Sequence, residues 1–226
     1  MNKIARVAAL CAVGGLLLTA IVTSTSNKVN PSEQIWDTRT TIGNVDAKNY
    51  YVMYTDLMCP YCDILTRELI ENEDDFNKFI ADNNILFEVR VTDMLYDSVG
   101  SDYSRQSATA TYCAKNEDKF FDYYHAAVMA LYNDYHSKGI GDSKTSPAIT
   151  NLPEDYWVKI GENIGLGENF ANCYYNNDTL DEVIENTTKA EHSAEGLPYF
   201  VLNSEKISGY SSDWGWEALF SAGLGK

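Results

Sequence analysis

The stretch YTDLMCPYCDILTRELI, residues 54–70, sets Cys59 and Cys62 one helical turn apart, after a β-rich run and at the head of an apolar helical repeat. That spacing serves three chemistries: thiol–disulfide exchange, half of a zinc site, or a short covalent staple. For exchange, a cysteine just before the first turn of a helix meets unpaired backbone N–H groups and the positive end of the helix dipole. Both favour the thiolate, which is the attacking species, so Cys59 is the candidate nucleophile. Cys62, one turn further on, is placed to attack a mixed disulfide at Cys59 and close the ring. Stabilising the Cys59 thiolate favours the reduced pair and makes the disulfide the stronger oxidant, with Pro60 and Tyr61 tuning the effect. Zinc would want a second close pair or a pair of histidines. Cys113 and Cys173 are isolated from each other, and His125, His136 and His192 show no ligand spacing, so no metal is expected. A staple over so short a loop would constrain the unfolded chain little.

The elements that must position this pair are legible around it. YYVMYTD (50–56) is rich in β-formers and reads as a buried strand. Pro60 suits the first turn of a helix, where its missing N–H costs nothing, and Ile64, Leu65, Leu69 and Ile70 repeat at helical spacing. ILFEVRV (85–91) alternates as a second strand. From about 102 to 194 the pattern is almost wholly helical, broken by a Gly/Ser/Lys loop near 137–147. The β signal returns in YFVLN (199–203) and EKISGY (205–210), and a last amphipathic helix covers about 214–222. A β-α-β half and a β-β-α half with a helical block between them is an α/β plan carrying an inserted helical cap. No internal repeat or low-complexity tract interrupts it.

Composition bounds the rest. The chain has 226 residues, 45% of them hydrophobic, enough for one sizeable core. Its formal net charge is −16, and the basic residues Lys3 and Arg6 precede the folded part, which is more acidic still. Such a surface argues against nucleic acid and anionic lipid as partners. Residues 1–23 have a short basic start and an uncharged apolar run from Val7 to Val22, an export signal. Ser24 and Ser26 are small residues that a cleavage would use. The length of the run and the poor site favour an uncleaved N-terminal membrane anchor over a cleaved signal peptide. Cys11 reads as an apolar residue of that run, since Leu10 stands where a lipoprotein signal needs a small residue. Residues 24–39 read as a linker, and 40–226 as the exported domain. Four cysteines remain beyond Cys11, which in an oxidising compartment allows two disulfides in three pairings. One reactive pair, Cys59 with Cys62, and one structural pair is the economical reading.

The segment TIGNVDAKNYYVMYTDLMCPYC resembles the opening of DsbA-like thiol:disulfide oxidoreductases of the thioredoxin superfamily. The likeness continues in ATYCAKNEDKFFDYYHAAVMALY, in IGLGENFANCYYNN and in AEGLPYFVLN, which is similar to the stretch that carries the superfamily's cis-proline before a strand. It spans about 40–222, and the order and spacing of its motifs are specific. The resemblance implies a thioredoxin-like fold with an all-helical insertion, Cys59 as exposed nucleophile and Cys62 as buried resolving cysteine. It implies a cis Pro198 facing the pair, with Leu197 offering backbone groups to an extended substrate peptide. Pro60, Tyr61 and Tyr199 would line that peptide's path. Cys113 and Cys173 match positions where some members carry a second, structural disulfide. The activity implied is donation of the Cys59–Cys62 disulfide to unfolded or reduced secreted proteins. A membrane reoxidant of the DsbB or vitamin K epoxide reductase type would regenerate it, with no organic cofactor and the enzyme a monomer.

Two positions depart from the family pattern. Leu197 is bulkier than the Thr or Val more usual before the cis-proline. Met53 stands six residues before Cys59, where some relatives keep a buried acid that assists proton transfer. Asp56 is the nearest carboxylate, suited to proton transfer or to capping the strand end. His125 reads as a packed helix residue. The rival functions are a reductase or isomerase on the same fold and a non-enzymatic peptide-binding module.

Overall fold

The computed structural model describes residues 37–97, 102–191, 196–207 and 215–225. The anchor or signal segment with Cys11, residues 24–36 of the linker, His192, residues 208–210 of the last strand and Trp214 lie outside them.

Among the described residues the central sheet has five strands in the order β1-β3-β2-β4-β5. Strand β2 (Asn49–Thr55) runs parallel to β3 (Ile85–Val91) and antiparallel to β4 (Tyr199–Leu202), while β1 (Thr41–Gly43) and β5 (Glu205–Ile207) close the edges antiparallel. Strand β2 is buried on both faces from Tyr50 onward, as a central strand covered on both sides must be. The pleat divides it. Tyr51 and Met53 face the main core, whereas Tyr50, Val52 and Tyr54 face a smaller cluster with Leu86, Ala190 and Tyr199.

Helices α1 (Pro60–Glu71), α2 (Glu73–Asp82) and α8 (Gly215–Gly223) accompany the sheet. Phe220 of α8 stacks on Tyr51 at 4.5 Å, and Phe76 of α2 meets Phe87, Trp216 and Phe220 edge-on within 5.4 Å. Aromatic pairs of this kind add about 0.5–1.5 kcal/mol each beyond the area they bury. This cluster backs α1 and fixes its position on the sheet.

Between β3 and β4 the chain builds the inserted helices α3 (Tyr103–Lys115), α4 (Phe120–Asp134), α5 (Tyr156–Asn163), α6 (Glu168–Asn176) and α7 (Leu180–Glu191). Helix α3 is buried nearly all round and packs against α4, α6 and α7. Small residues permit that closeness: Ala108, Ala110 and Ala114 are fully buried. The structure joins Cys113 of α3 to Cys173 of α6 by a disulfide spanning 60 residues.

Two elements differ from the sequence expectation. Residues 38–43 form a 3-10 turn and strand β1, although 24–39 reads as linker and the first strand of the sequence reading begins at Tyr50. Three residues are too few for a period-2 pattern to register. What marks β1 instead is Gly43 at φ +107, where a Cβ would stand 2.3 Å from the Ile85 carbonyl oxygen. Helix α2 follows α1 after Asn72 and is likewise not separated in the sequence reading.

Candidate active site

Strand β2 ends at Thr55, and the chain turns through Asp56–Cys59, closed by the Cys59 N–H donating to the Asp56 carbonyl at 3.0 Å. Cys59 is the N-cap of α1 with extended backbone, and Pro60 occupies the first turn. The extended conformation required of a residue preceding proline is thus the one an N-cap needs. Both Cys59 and Cys62 are free thiols.

Their environments separate them chemically. The Cys59 pKa is lowered, chiefly because the Cys62 thiol donates to its sulfur; the backbone N–H groups of Cys62 and Tyr61 help, while burial and the Asp56 carboxylate oppose. Cys62 is pushed well above the ordinary thiol range, first by burial and then by its role as donor to Cys59. One sulfur therefore holds the negative charge and the other keeps the proton.

Across from Cys59 lies the cis peptide Leu197–Pro198. The Cys59 thiol approaches the Leu197 carbonyl oxygen at 3.6 Å. Together they border a groove of about 680 Å³, lined by Met58, Pro60 and Tyr61 on the α1 side, by Leu95, and by the loop from Gly141 to Ile149 that follows α4. Cys59 is 5% exposed, not the openly exposed nucleophile expected, and it borders the groove beside Met58. Tyr61 at 40% is the exposed aromatic beside it. Tyr199 is not in the groove. It pairs with Tyr54 across the β2–β4 ladder, ring centroids 5.7 Å apart, on the sheet face that packs the smaller cluster. Pro198 is buried as well, so of the expected peptide contacts Pro60, Tyr61 and Leu197 line the groove.

Asp56 is fully buried beneath this turn. Its Oδ1 accepts from the Met58 N–H at 2.9 Å, and its Oδ2 accepts from the Leu95 N–H at 3.0 Å and the Ser104 hydroxyl at 2.5 Å. The carboxylate thus ties the Cys59 turn to the segment after β3 and to α3. Burial raises its pKa to about 6 despite those donors. Because the folded state binds this proton more tightly than the unfolded chain, the group's stabilisation is complete below about pH 4 and lost as pH rises through 6. Unfolding by urea between pH 4 and 7 should show wild type losing about 3 kcal/mol relative to Asp56→Asn across that window. A constant difference between the two would contradict the assignment.

Sequence reasoning also missed Leu95, Ser104, the Gly141–Ile149 wall and His136. The His136 Nδ1 lies 3.1 Å from Asp63 Oδ1 behind α1, an ion-pair approach without hydrogen-bond alignment. Asp63 also accepts from Arg67 at 3.0 Å. No motif announces any of them, since they meet through the insertion's packing. His125 is half-buried on α4, and burial lowers its pKa. Among the described residues no cluster of three metal-ligating side chains forms.

A thioredoxin family model matches residues 36–221, the sheet, the cysteine turn and the insertion together. The chain belongs to the thioredoxin family. No curated protein matches it. Solved structures with the same fold include the disulfide bond oxidoreductase DsbG of Mycobacterium tuberculosis, at TM-score 0.55 and 16% identity over 75% of this chain and 76% of that one. The thiol-disulfide oxidoreductase MdbA of Corynebacterium diphtheriae aligns at 0.57 and 14% over 77% and 86%. The thiol-disulfide exchange protein alpha-DsbA2 of Wolbachia pipientis aligns at 0.55 and 18% over 80% and 86%. The fold of this thioredoxin family member is DsbA-like, a thioredoxin-like sheet with a helical insertion.

Proposed function

We propose that this protein is an extracytoplasmic thiol:disulfide oxidoreductase that donates a Cys59–Cys62 disulfide to reduced, unfolded secreted proteins. The observation that carries the reading is the opposed chemistry of the pair: a thiolate-favouring Cys59 at the head of α1, bordering a groove, and a proton-holding Cys62 behind it. In the oxidised enzyme, a substrate thiolate attacks the Cys59 sulfur, the Cys59–Cys62 bond breaks, and its electron pair leaves on Cys62. A second substrate thiolate then attacks the substrate's own sulfur and releases Cys59 as thiolate. The substrate has lost two electrons and the enzyme has gained them. A thiolate stabilised at Cys59 makes it a good leaving group and pulls the exchange in this direction. Leu197, beside Cys59, offers its backbone to an extended peptide, with Pro60 and Tyr61 flanking the path and buried Pro198 shaping it.

The export segment at 1–23, as anchor or cleaved signal, supplies the compartment, and 40–226 acts there as a monomer. The neighbouring structures, two disulfide oxidoreductases and a thiol-disulfide exchange protein, support the reaction class. Regeneration falls to a membrane oxidant of the DsbB or vitamin K epoxide reductase type.

The reduction potential of the Cys59–Cys62 couple, measured against glutathione, decides the direction. A value more positive than about −200 mV is expected, beside about −270 mV for thioredoxin. A thioredoxin-like value would make the protein a reductase. A couple that forms no mixed disulfide at all would leave a peptide-binding module.

A further inference from the structure

Each turnover proposed above requires Cys62 to take up a proton as it leaves the disulfide and to give one back before it attacks a mixed disulfide at Cys59. Cys62 is 2% exposed, so the proton must travel through protein. Asp56 is an unsuited conduit. All three of its donors are protein groups, and the residue itself has no exposed surface. Met53, on the core side of β2, brings no titratable group.

A different set of groups leads away from the sulfur. The Thr55 hydroxyl stands beside Cys62 and favours its thiolate. It also lies 3.3 Å from the Tyr124 hydroxyl, which in turn lies 2.7 Å from the Thr66 hydroxyl. All three residues are at most 2% exposed. Thr66 and Tyr124 then line a cavity of about 30 Å³ between α1, α4 and the sheet, room for one water by volume. His125 and the exposed Glu73 and Asn77 line the same cavity at its outer side. Every hydroxyl in the series can donate and accept, the property a relay requires. A core that wanted only packing would hold Val and Phe here, because buried hydroxyls gain nothing unless they are bonded.

We propose that Thr55, Tyr124 and Thr66 form the proton path of Cys62, ending at the cavity bordered by His125. When Cys62 leaves as thiolate, the Thr55 proton passes to its sulfur, the Tyr124 proton to Thr55, the Thr66 proton to Tyr124, and a proton from solvent, passed on by a cavity water, to Thr66. In the return direction the shifts reverse, the electron pair stays on sulfur, and the proton ends on water or on the neutral His125 imidazole. Thr55 is the group that hands its proton to the reacting sulfur; Tyr124 and Thr66 are positioning residues that act through it. The inference rests on the dithiol chemistry proposed above.

The experiment uses oxidised glutathione as the probe and the reduced full-length protein. Mixed-disulfide formation at Cys59 and ring closure by Cys62 are followed separately by acid quench and mass spectrometry from pH 5 to 9. Tyr124→Phe and, as a second variant that keeps packing volume, Thr66→Val should slow ring closure about tenfold to a hundredfold near pH 7. The deficit should shrink as hydroxide takes over at high pH, and the solvent deuterium isotope effect should change. Cys59 capture should stay within twofold of wild type. The other titratable groups around the path are Asp56, Cys59 and Asp63. An Asp56→Asn control, which should keep its ring-closure isotope effect, separates their influence. Ring closure with an unaltered pH profile in both variants overturns the relay while leaving the oxidoreductase reading intact. Failure of wild type to form the mixed disulfide overturns both.

Discussion

Cys59→Ser should abolish transfer of disulfides to a reduced, unfolded substrate, and Cys62→Ala, with no disulfide to donate, should abolish it too, but should still form with oxidised glutathione a mixed disulfide at Cys59 that no second thiol resolves. The two thiols differ in what surrounds them more than in where they stand. Cys59 sits at the N-cap of α1 and faces the backbone N–H groups of Tyr61 and Cys62. A serine hydroxyl there is not ionised at neutral pH, so the nucleophile is lost outright. The expected loss is on the order of 10³-fold or more, because the full acceleration of an enzyme, about 10⁶-fold and upward, rests on that bond being made. In Cys62→Ala the groove and helix end remain, but the thiol that donates to the Cys59 sulfur is gone. Since that hydrogen bond is the foremost cause of the lowered Cys59 pKa, the midpoint of its alkylation by iodoacetamide should rise in Cys62→Ala. It should fall in Asp56→Asn, where an opposing negative charge is removed. Midpoints that do not move in these opposite senses would mean that the helix end alone sets the thiolate.

The parts of this site that were legible in the sequence are those that local chain chemistry dictates. The run 50–56, the proline after Cys59 and the apolar repeat after it specify strand, cap and helix from neighbouring residues, and β2 and α1 stand there. The helical block was legible by periodicity for the same reason, down to the loop near 137–147 that becomes a wall of the groove. What was not legible depends on which face a residue takes or on contacts across the insertion. Tyr199 follows Pro198 directly, so its place in the chain suggests the groove, but the pleat of β4 pairs it with Tyr54 on the other side. Asp56 reads in the sequence as a carboxylate near Cys59. Its partners Leu95 and Ser104 come from segments distant in the chain, so its burial and raised pKa had no sequence signal. The hydroxyls of Thr55, Thr66 and Tyr124 are scattered over β2, α1 and α4, where each alone reads as ordinary β-former, helix or core residue. Solved structures at 14–18% identity share this fold, and the residue roles follow from the geometry of this chain.

Removing the other pair should cost stability rather than chemistry. A chain with Cys113→Ala and Cys173→Ala should lose about 4 kcal/mol of unfolding free energy, the loop-closure entropy of a crosslink over 60 residues. The bond ties α3, which is the hub of the insertion, to α6, and the Thr179 hydroxyl beside the Cys113 sulfur donates to the Thr109 carbonyl at 3.0 Å. That packing persists without the bond, so the folded state should be retained and the loss should come from a freer unfolded chain. Urea unfolding reads this directly: the midpoint falls, and the slope rises because the unfolded chain exposes more surface. A loss under about 1 kcal/mol would mean that the unfolded state already holds α3 near α6. None of the groove-lining residues belongs to this pair, so mixed-disulfide formation by Cys59 should proceed at the wild-type rate wherever the variant is folded. The insertion would then owe part of its stability against unfolding to one cysteine pair, and the site its reactivity to the other.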